Sequence, residues 1–64
     1  MTALLTITAS GSRHKATVRV EARGCIGQAV DADERLACKR AIRQAKRWAE
    51  DRGVVLAIHR KFDT

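Results

Sequence analysis

The segment that decides the fold is residues 31–53, which read DADERLACKRAIRQAKRWAEDRG. Its apolar side chains recur at intervals of three and four, the spacing of one buried face of an α-helix. They are Ala37, Cys38, Ala41, Ile42, Ala45, Trp48 and Ala49. Asp31, with Glu34 three residues later, has the form of a capping box, and Gly53 suits the left-handed position that ends a helix. The segment therefore predicts one long helix from about residue 32 to residue 52.

Three strands are predicted around this helix. Residues 3–9 and 15–23 alternate apolar and polar side chains with the period of two that is typical of half-buried strands. The apolar members of the second run are Ala16, Val18, Val20 and Ala22. Glycine and serine at 10–12 favour a turn, so the two strands should form a hairpin with a loop of about five residues. Residues 54–62 are β-branched and apolar enough for a third strand, whereas we interpret the glycine-flanked residues 24–27 as a connection to the helix.

These elements predict a single α+β domain over residues 1–64 with the order ββαβ. A right-handed crossover through the helix most simply places the third strand beside the first, which gives a three-stranded, antiparallel-type sheet of order 2-1-3. The helix would cover one face of this sheet, and the other face would stay open. A chain of 64 residues has a thin core. Because alanines dominate that core and Trp48 and Phe62 are its only aromatics, a homodimer through the open face is a further expectation.

Net charge sets the class of partner. Thirteen Lys and Arg against seven Asp and Glu give +6 at pH 7 and a sequence pI near 10.4. Basic charge at this density favours acidic partners, first DNA or RNA and then acidic protein surfaces. It excludes a protein that inhibits by imitating DNA, since such a protein must be acidic.

Location and membrane contact are inferred from apolar runs and cysteines. No stretch reaches the ~20 apolar residues that span a bilayer, and no basic region precedes the short apolar run near Met1. The two cysteines do not form the framework of a secreted mini-protein. We therefore expect a cytoplasmic protein with no membrane partner.

One side of the predicted helix is strongly basic. Arg35, Lys39, Arg43 and Arg47 follow one another at four-residue spacing, and Arg40 and Lys46 flank them. Like charges at this spacing cost an isolated helix a few tenths of a kcal/mol per pair, yet the acids are confined to the helix ends. This pattern favours an anion-binding surface, although a merely solvated helix face would also tolerate it. With two basic strand residues added, the candidate nucleic-acid-binding residues are Arg35, Lys39, Arg40, Arg43, Lys46, Arg47, Arg19 and Lys61.

Catalysis, cofactors and metals are not expected. Cys25, Cys38, His14 and His59 are the classical ligand types besides carboxylates, and no CxxC or HxxxH pair occurs among them. The carboxylates lie at helix ends, where capping explains them. No nucleophile, base and orienting group can be placed around one pocket. We therefore predict a non-enzymatic domain without cofactor or metal.

Two function classes follow. The leading interpretation is a small basic domain that contacts nucleic-acid phosphates through the basic helix face with little base readout. The alternative is a protein-interaction module. It would be either a homodimer through the open sheet face, or a small phage- or plasmid-type adaptor or inhibitor that docks on an acidic protein.

Overall fold

A computed structural model describes residues 1–61, which form four strands and one helix. In chain order the elements are β1 (Thr2–Ser10), β2 (Arg13–Val20), β3 (Gly24–Asp31), α1 (Glu34–Asp51) and β4 (Ala57–Lys61). Position 62, the last residue of the predicted third strand, lies outside the described residues. Within them, no helix is long and apolar enough to cross a membrane.

The strands form one mixed sheet of order β3-β2-β1-β4. β1 and β2 pair antiparallel, as do β2 and β3, while β4 pairs parallel with β1. The prediction of an α+β domain with one helix on one face of a sheet is confirmed. The final strand also lies beside the first. The three-stranded, antiparallel-type ββαβ sheet is only partly matched, however. The sheet has a fourth strand, β3, outside β2, and it is mixed because the crossover through the helix brings β4 in parallel to β1.

β3 was missed because its glycines resemble the residues of a loop. The chain turns after Val20, where the Arg23 N–H donates to the Val20 carbonyl at 3.3 Å, and Gly24 adopts φ 88° to begin the return strand. β2 therefore ends at Val20 rather than at residue 23, and Ala22 is exposed in the turn. The first hairpin is also tighter than predicted, since Ser10 pairs with Arg13 and only two residues connect the strands.

Helix α1 begins later and ends as predicted. Its N-cap is Asp33, whose carboxylate accepts from the Arg35 N–H at 2.8 Å, while Asp31 accepts from the Asp33 N–H at 2.9 Å. The predicted cap at Asp31 is therefore wrong by two residues, because both aspartates have the side chain that a cap needs. At the other end Gly53 adopts φ 65°, and Val54 donates back to the Ala49 carbonyl at 2.9 Å, which is a Schellman motif.

The core is built from short side chains. The buried residues of α1 are all alanines, and they pack on the inward-facing residues of the strands. The buried set is Ala3, Leu5, Ala16, Val18, Val20, Ala37, Ala41, Ala45 and Ala49. In β3, Gly27 faces the helix so closely that a Cβ there would overlap the Ala41 carbonyl oxygen and lie 3.1 Å from the Ala45 nitrogen. Because of this contact the helix lies mainly over β3 and β2, and much less over β1.

Candidate functional site

The cations of the predicted helix surface are all exposed on α1. We call five of them the basic face: Arg35, Lys39, Arg43, Lys46 and Arg47. A helix rises 1.5 Å per residue, so the four-residue spacing from Arg35 to Arg47 places a cation about every 6 Å over about 18 Å. The basic face is therefore a continuous ridge of positive charge along the outer side of the helix.

Within residues 1–61, the basic face forms no salt bridge. The two salt bridges near the helix involve other cations, since Arg40 bridges Asp31 at 3.4 Å and Arg60 bridges Glu34 at 2.9 Å. Glu34, Glu50 and Asp51 border the same surface at the two ends of the helix, and none of them forms a salt bridge with these five cations. Charge on the basic face is thus left for solvent ions or a ligand. Arg40, predicted as part of the binding set, instead ties the helix to the end of β3.

Two predicted binding residues lie on strands and not on the helix. Arg19 is exposed and pairs in register with Leu4, between the buried Val18 and Val20. It therefore points to the sheet face opposite the helix. Lys61 ends β4, where its backbone pairs with Thr6. The structure thus places the helix cations together on one surface and separates Arg19 from them.

Two further arginines are occupied by an aromatic ring. The guanidinium carbons of Arg52 and Arg23 lie 5.1 Å and 6.0 Å from the centroid of the Trp48 ring. Cation–π contacts at such distances stabilise by about 0.5–1 kcal/mol at exposed sites. Trp48 therefore holds the turn between β2 and β3 against the end of α1, and these arginines lie apart from the basic face.

The sequence did not predict an open groove beside α1. It runs between the helix and the β1–β4 half of the sheet and encloses about 390 Å³. Its lining is Leu5, Cys38, Ile42, Lys46, Leu56, Ile58 and Arg60. Apart from Leu5, its apolar side chains are only half-buried. We call this surface the groove.

The thiols differ in their surroundings. Cys38 is half-buried in the wall of the groove, and desolvation raises the pKa of its thiol. Arg60 partly opposes this rise in pKa, while Glu34 adds to it. Cys25 is exposed in β3, where it pairs in register with Arg19. Across the described part of the chain, no three His, Cys, Asp or Glu residues form a group that could hold a metal ion.

One pattern in the sequence hints at the groove. The inner side of α1 carries alanines at every fourth position, whereas its margin toward β4 carries the larger Cys38 and Ile42.

The chain matches no protein-family model, and comparisons with curated proteins and with solved structures give no match either.

Proposed function

We propose that this domain binds nucleic acid by contacts between its basic face and the phosphate backbone. The observation that carries the proposal is five exposed cations on one helix face with no carboxylate paired to them among residues 1–61. A helix under selection for stability alone would interleave acids at i, i+4, because each opposite-charge pair stabilises it by about 0.2–0.5 kcal/mol. The five cations of the basic face, unpaired among the described residues, are therefore available to be neutralised by the phosphates of a polyanion.

Binding of this kind is driven by the release of counterions from the nucleic acid. Arginine and lysine both serve, since the arginine guanidinium can hold phosphate oxygens in pairs and the lysine ammonium acts as a compact point charge. Arginine and lysine can also read a guanine edge, but among the described residues no hydrogen bond or ion pair holds the five exposed side chains of the basic face in a direction fixed for base readout. We therefore expect weak sequence preference.

The test is a salt titration on duplex DNA, followed by fluorescence anisotropy. Four or five neutralised phosphates give a slope of about −4 in log affinity against log salt, from roughly −0.9 per phosphate. Replacing Arg43 and Arg47 together by glutamine should reduce this slope by about two units. Both side chains are exposed, so the fold should be retained and the circular dichroism spectrum unchanged.

The matched control is the double variant Arg13→Gln with Arg19→Gln. It also removes two positive charges, but from β2, where both residues are exposed. This control should change the slope little. A slope that falls in the control and stays unchanged in the helix variant would move the site to the opposite sheet face. No binding to DNA or RNA at ~50 mM salt, where screening is weak, would refute the proposal.

A protein-interaction role is the second candidate, and the groove is the observation that favours it. Self-association through the open sheet face stays a prediction from the thin core. Leu4 and Val30 are exposed large apolar residues of this sheet face, with 47% and 45% of their surface accessible to solvent. Sedimentation at hundreds of micromolar should show twice the 7.1 kDa chain mass if the prediction holds, and a 7.1 kDa species would contradict it.

A further inference from the structure

The helix covers only half of the sheet face on which it packs. Neighbouring strands lie about 4.8 Å apart, so the midlines of the β3–β2 pair and the β1–β4 pair are about 10 Å apart, which is close to the 8–10 Å between the axes of two packed helices. Because α1 lies mainly over β3 and β2, the β1–β4 half is left with room for one further helix. The groove is this space.

The floor of the groove is apolar. Leu5 of β1 faces into it beside Ile58, whose backbone is in register with the neighbouring Ala3, and Leu56 lies just before β4. Ile42 and Cys38 form the wall on the helix side. The described floor side chains carry no hydrogen-bonding group, so the floor offers nothing to a phosphate. It favours apolar side chains, which gain about 25 cal/mol per Å² buried.

The rim of the groove is basic. Lys46 and Arg60 are the charged residues in its described lining, and Arg35 and Lys39 continue the positive charge outward along the helix. Arg60 contacts Glu34 at 2.9 Å, so its charge is already matched within the chain, and the exposed cations of the helix supply the positive charge of the rim. An occupant with carboxylates beside its apolar side chains would complement both floor and rim.

We propose that the groove binds an amphipathic helix of a partner protein, with leucine-like side chains on the floor and carboxylates against Lys46 and Arg35. The site goes beyond the proposed nucleic-acid contact, with which it shares Lys46 and Arg35 at its edge. A second copy of the chain fits less well, because each copy carries +6 and its helix already buries its apolar side. The groove is thus a protein-docking site for an acidic segment.

The test uses a synthetic peptide with leucines at i, i+3, i+4 and i+7, glutamates beside them, and no cysteine. Its effect is measured as the rate at which iodoacetamide alkylates each cysteine of the folded protein, followed by mass spectrometry. Cys38 lines the groove and should be protected, about tenfold at ninety per cent occupancy by mass action. Cys25 is exposed in β3 and serves as the internal control, whose rate should not change.

Two control peptides separate the contributions of charge and shape. One replaces every glutamate by lysine, and the other keeps the composition but scrambles the leucine spacing. Neither should protect Cys38. Equal protection by the scrambled peptide, or equal protection of both cysteines, would overturn the proposal, as would no protection by the glutamate peptide in millimolar excess.

A pair of charge reversals tests the rim. Lys46→Glu should weaken peptide binding at least fivefold by calorimetry, since about 1 kcal/mol corresponds to that factor. Arg19→Glu makes the same change of net charge on the opposite sheet face and should leave the affinity within about twofold. Equal weakening by both would show that only net charge matters, and would refute the groove as the site.

The DNA titration remains independent of this result. A variant with Arg43→Gln and Arg47→Gln retains the groove lining and should bind the glutamate peptide nearly as well as the unaltered chain. If neither the unaltered chain nor any variant binds the peptide while DNA binding is intact, only the groove proposal is refuted. DNA binding absent with peptide protection intact refutes only the nucleic-acid proposal.

Discussion

The two halves of the helix-covered sheet face differ in the size of their side chains. On the β2–β3 half, alanines meet Gly27 and the helix backbone comes almost into contact with the strand. On the β1–β4 half, Leu56, Ile58 and Ile42 are larger, and they are only half-buried. The difference shows that the smallest residues decide where a helix rests on a sheet. The larger ones are left with part of their apolar surface open to a partner.

The largest effect is expected from filling the closest contact. Gly27→Ala places a Cβ against the Ala41 carbonyl. Because the overlap is with backbone atoms of the helix, it is relieved only if the helix moves away from β3. Overpacking of this kind costs about 1–3 kcal/mol or more, against a total stability of about 3–5 kcal/mol for so small a core. We expect Gly27→Ala to lose most of its stability, so that its unfolding midpoint in urea, followed by circular dichroism, falls far below that of the unaltered chain.

Gly11→Ala is the control for this change. Its Cβ would meet nothing within 4 Å, but Gly11 has φ 61°, so the substitution should cost only about 1–2 kcal/mol. If Gly27→Ala is no less stable than this control, the helix can slide off β3 without penalty and the contrast between the two halves fails.

Side-chain truncation should cost more on the closed half than on the open one. Val18 is fully buried, so Val18→Ala should cost about 2–3 kcal/mol in urea unfolding. Ile42→Ala removes more atoms, but they are half-buried at the groove, and the expected loss is about 1–2 kcal/mol. A larger loss for Ile42→Ala than for Val18→Ala would mean that the groove wall is part of the core.

Thiol reactivity should show that the open half is accessible in the folded state. Burial raises the pKa of Cys38, so at a given pH less of its reactive thiolate forms, and its alkylation profile should lie at higher pH than that of an ordinary thiol. We expect Cys38 to react several-fold more slowly than the exposed Cys25 in the absence of denaturant. A Cys38 that reacts only after unfolding would mean that the groove is closed.

The smallest effect is expected away from both halves. Leu36 lies on the solvent side of α1 with 43% of its surface exposed. Leu36→Ala should change the free energy of unfolding by less than about 0.5 kcal/mol, because surface substitutions usually fall in that range and alanine is a strong helix former. A loss equal to that of Ile42→Ala would show that the helix is rotated about its axis.

Local patterns explain which parts of the fold the sequence predicts. The alanine face of α1 and its stop at Gly53 follow from helical periodicity and left-handed backbone geometry, both of which are local. β3 does not follow, because Gly24 and Gly27 look alike in the sequence and have different roles. Gly24 reverses the chain, while Gly27 makes room for a helix that is distant in sequence.

The candidate site also has features that follow from local sequence patterns and features that do not. Exposure of the basic face follows from its four-residue spacing, and its binding role stays a prediction. Arg40 differs because its partner Asp31 belongs to a strand that the sequence did not predict. The groove depends on the offset of α1 across the sheet. That offset is a tertiary property, which periodicity within one element does not determine.

Of the described strands, β4 is synthesised last, yet it pairs with β1, the first. Thr2 pairs with Ala57, so this contact spans almost the whole described chain, and pairing over such a separation forms slowly. The meander of β1, β2 and β3 can form earlier from neighbouring segments, which leaves the outer edge of β1 unpaired until β4 arrives. An unpaired edge is a template for pairing with another chain. β4 covers residues 2–6 of this edge and itself becomes an outer strand of the sheet, so the edge exposed on that side is then a short strand of five residues, which limits pairing with a neighbour.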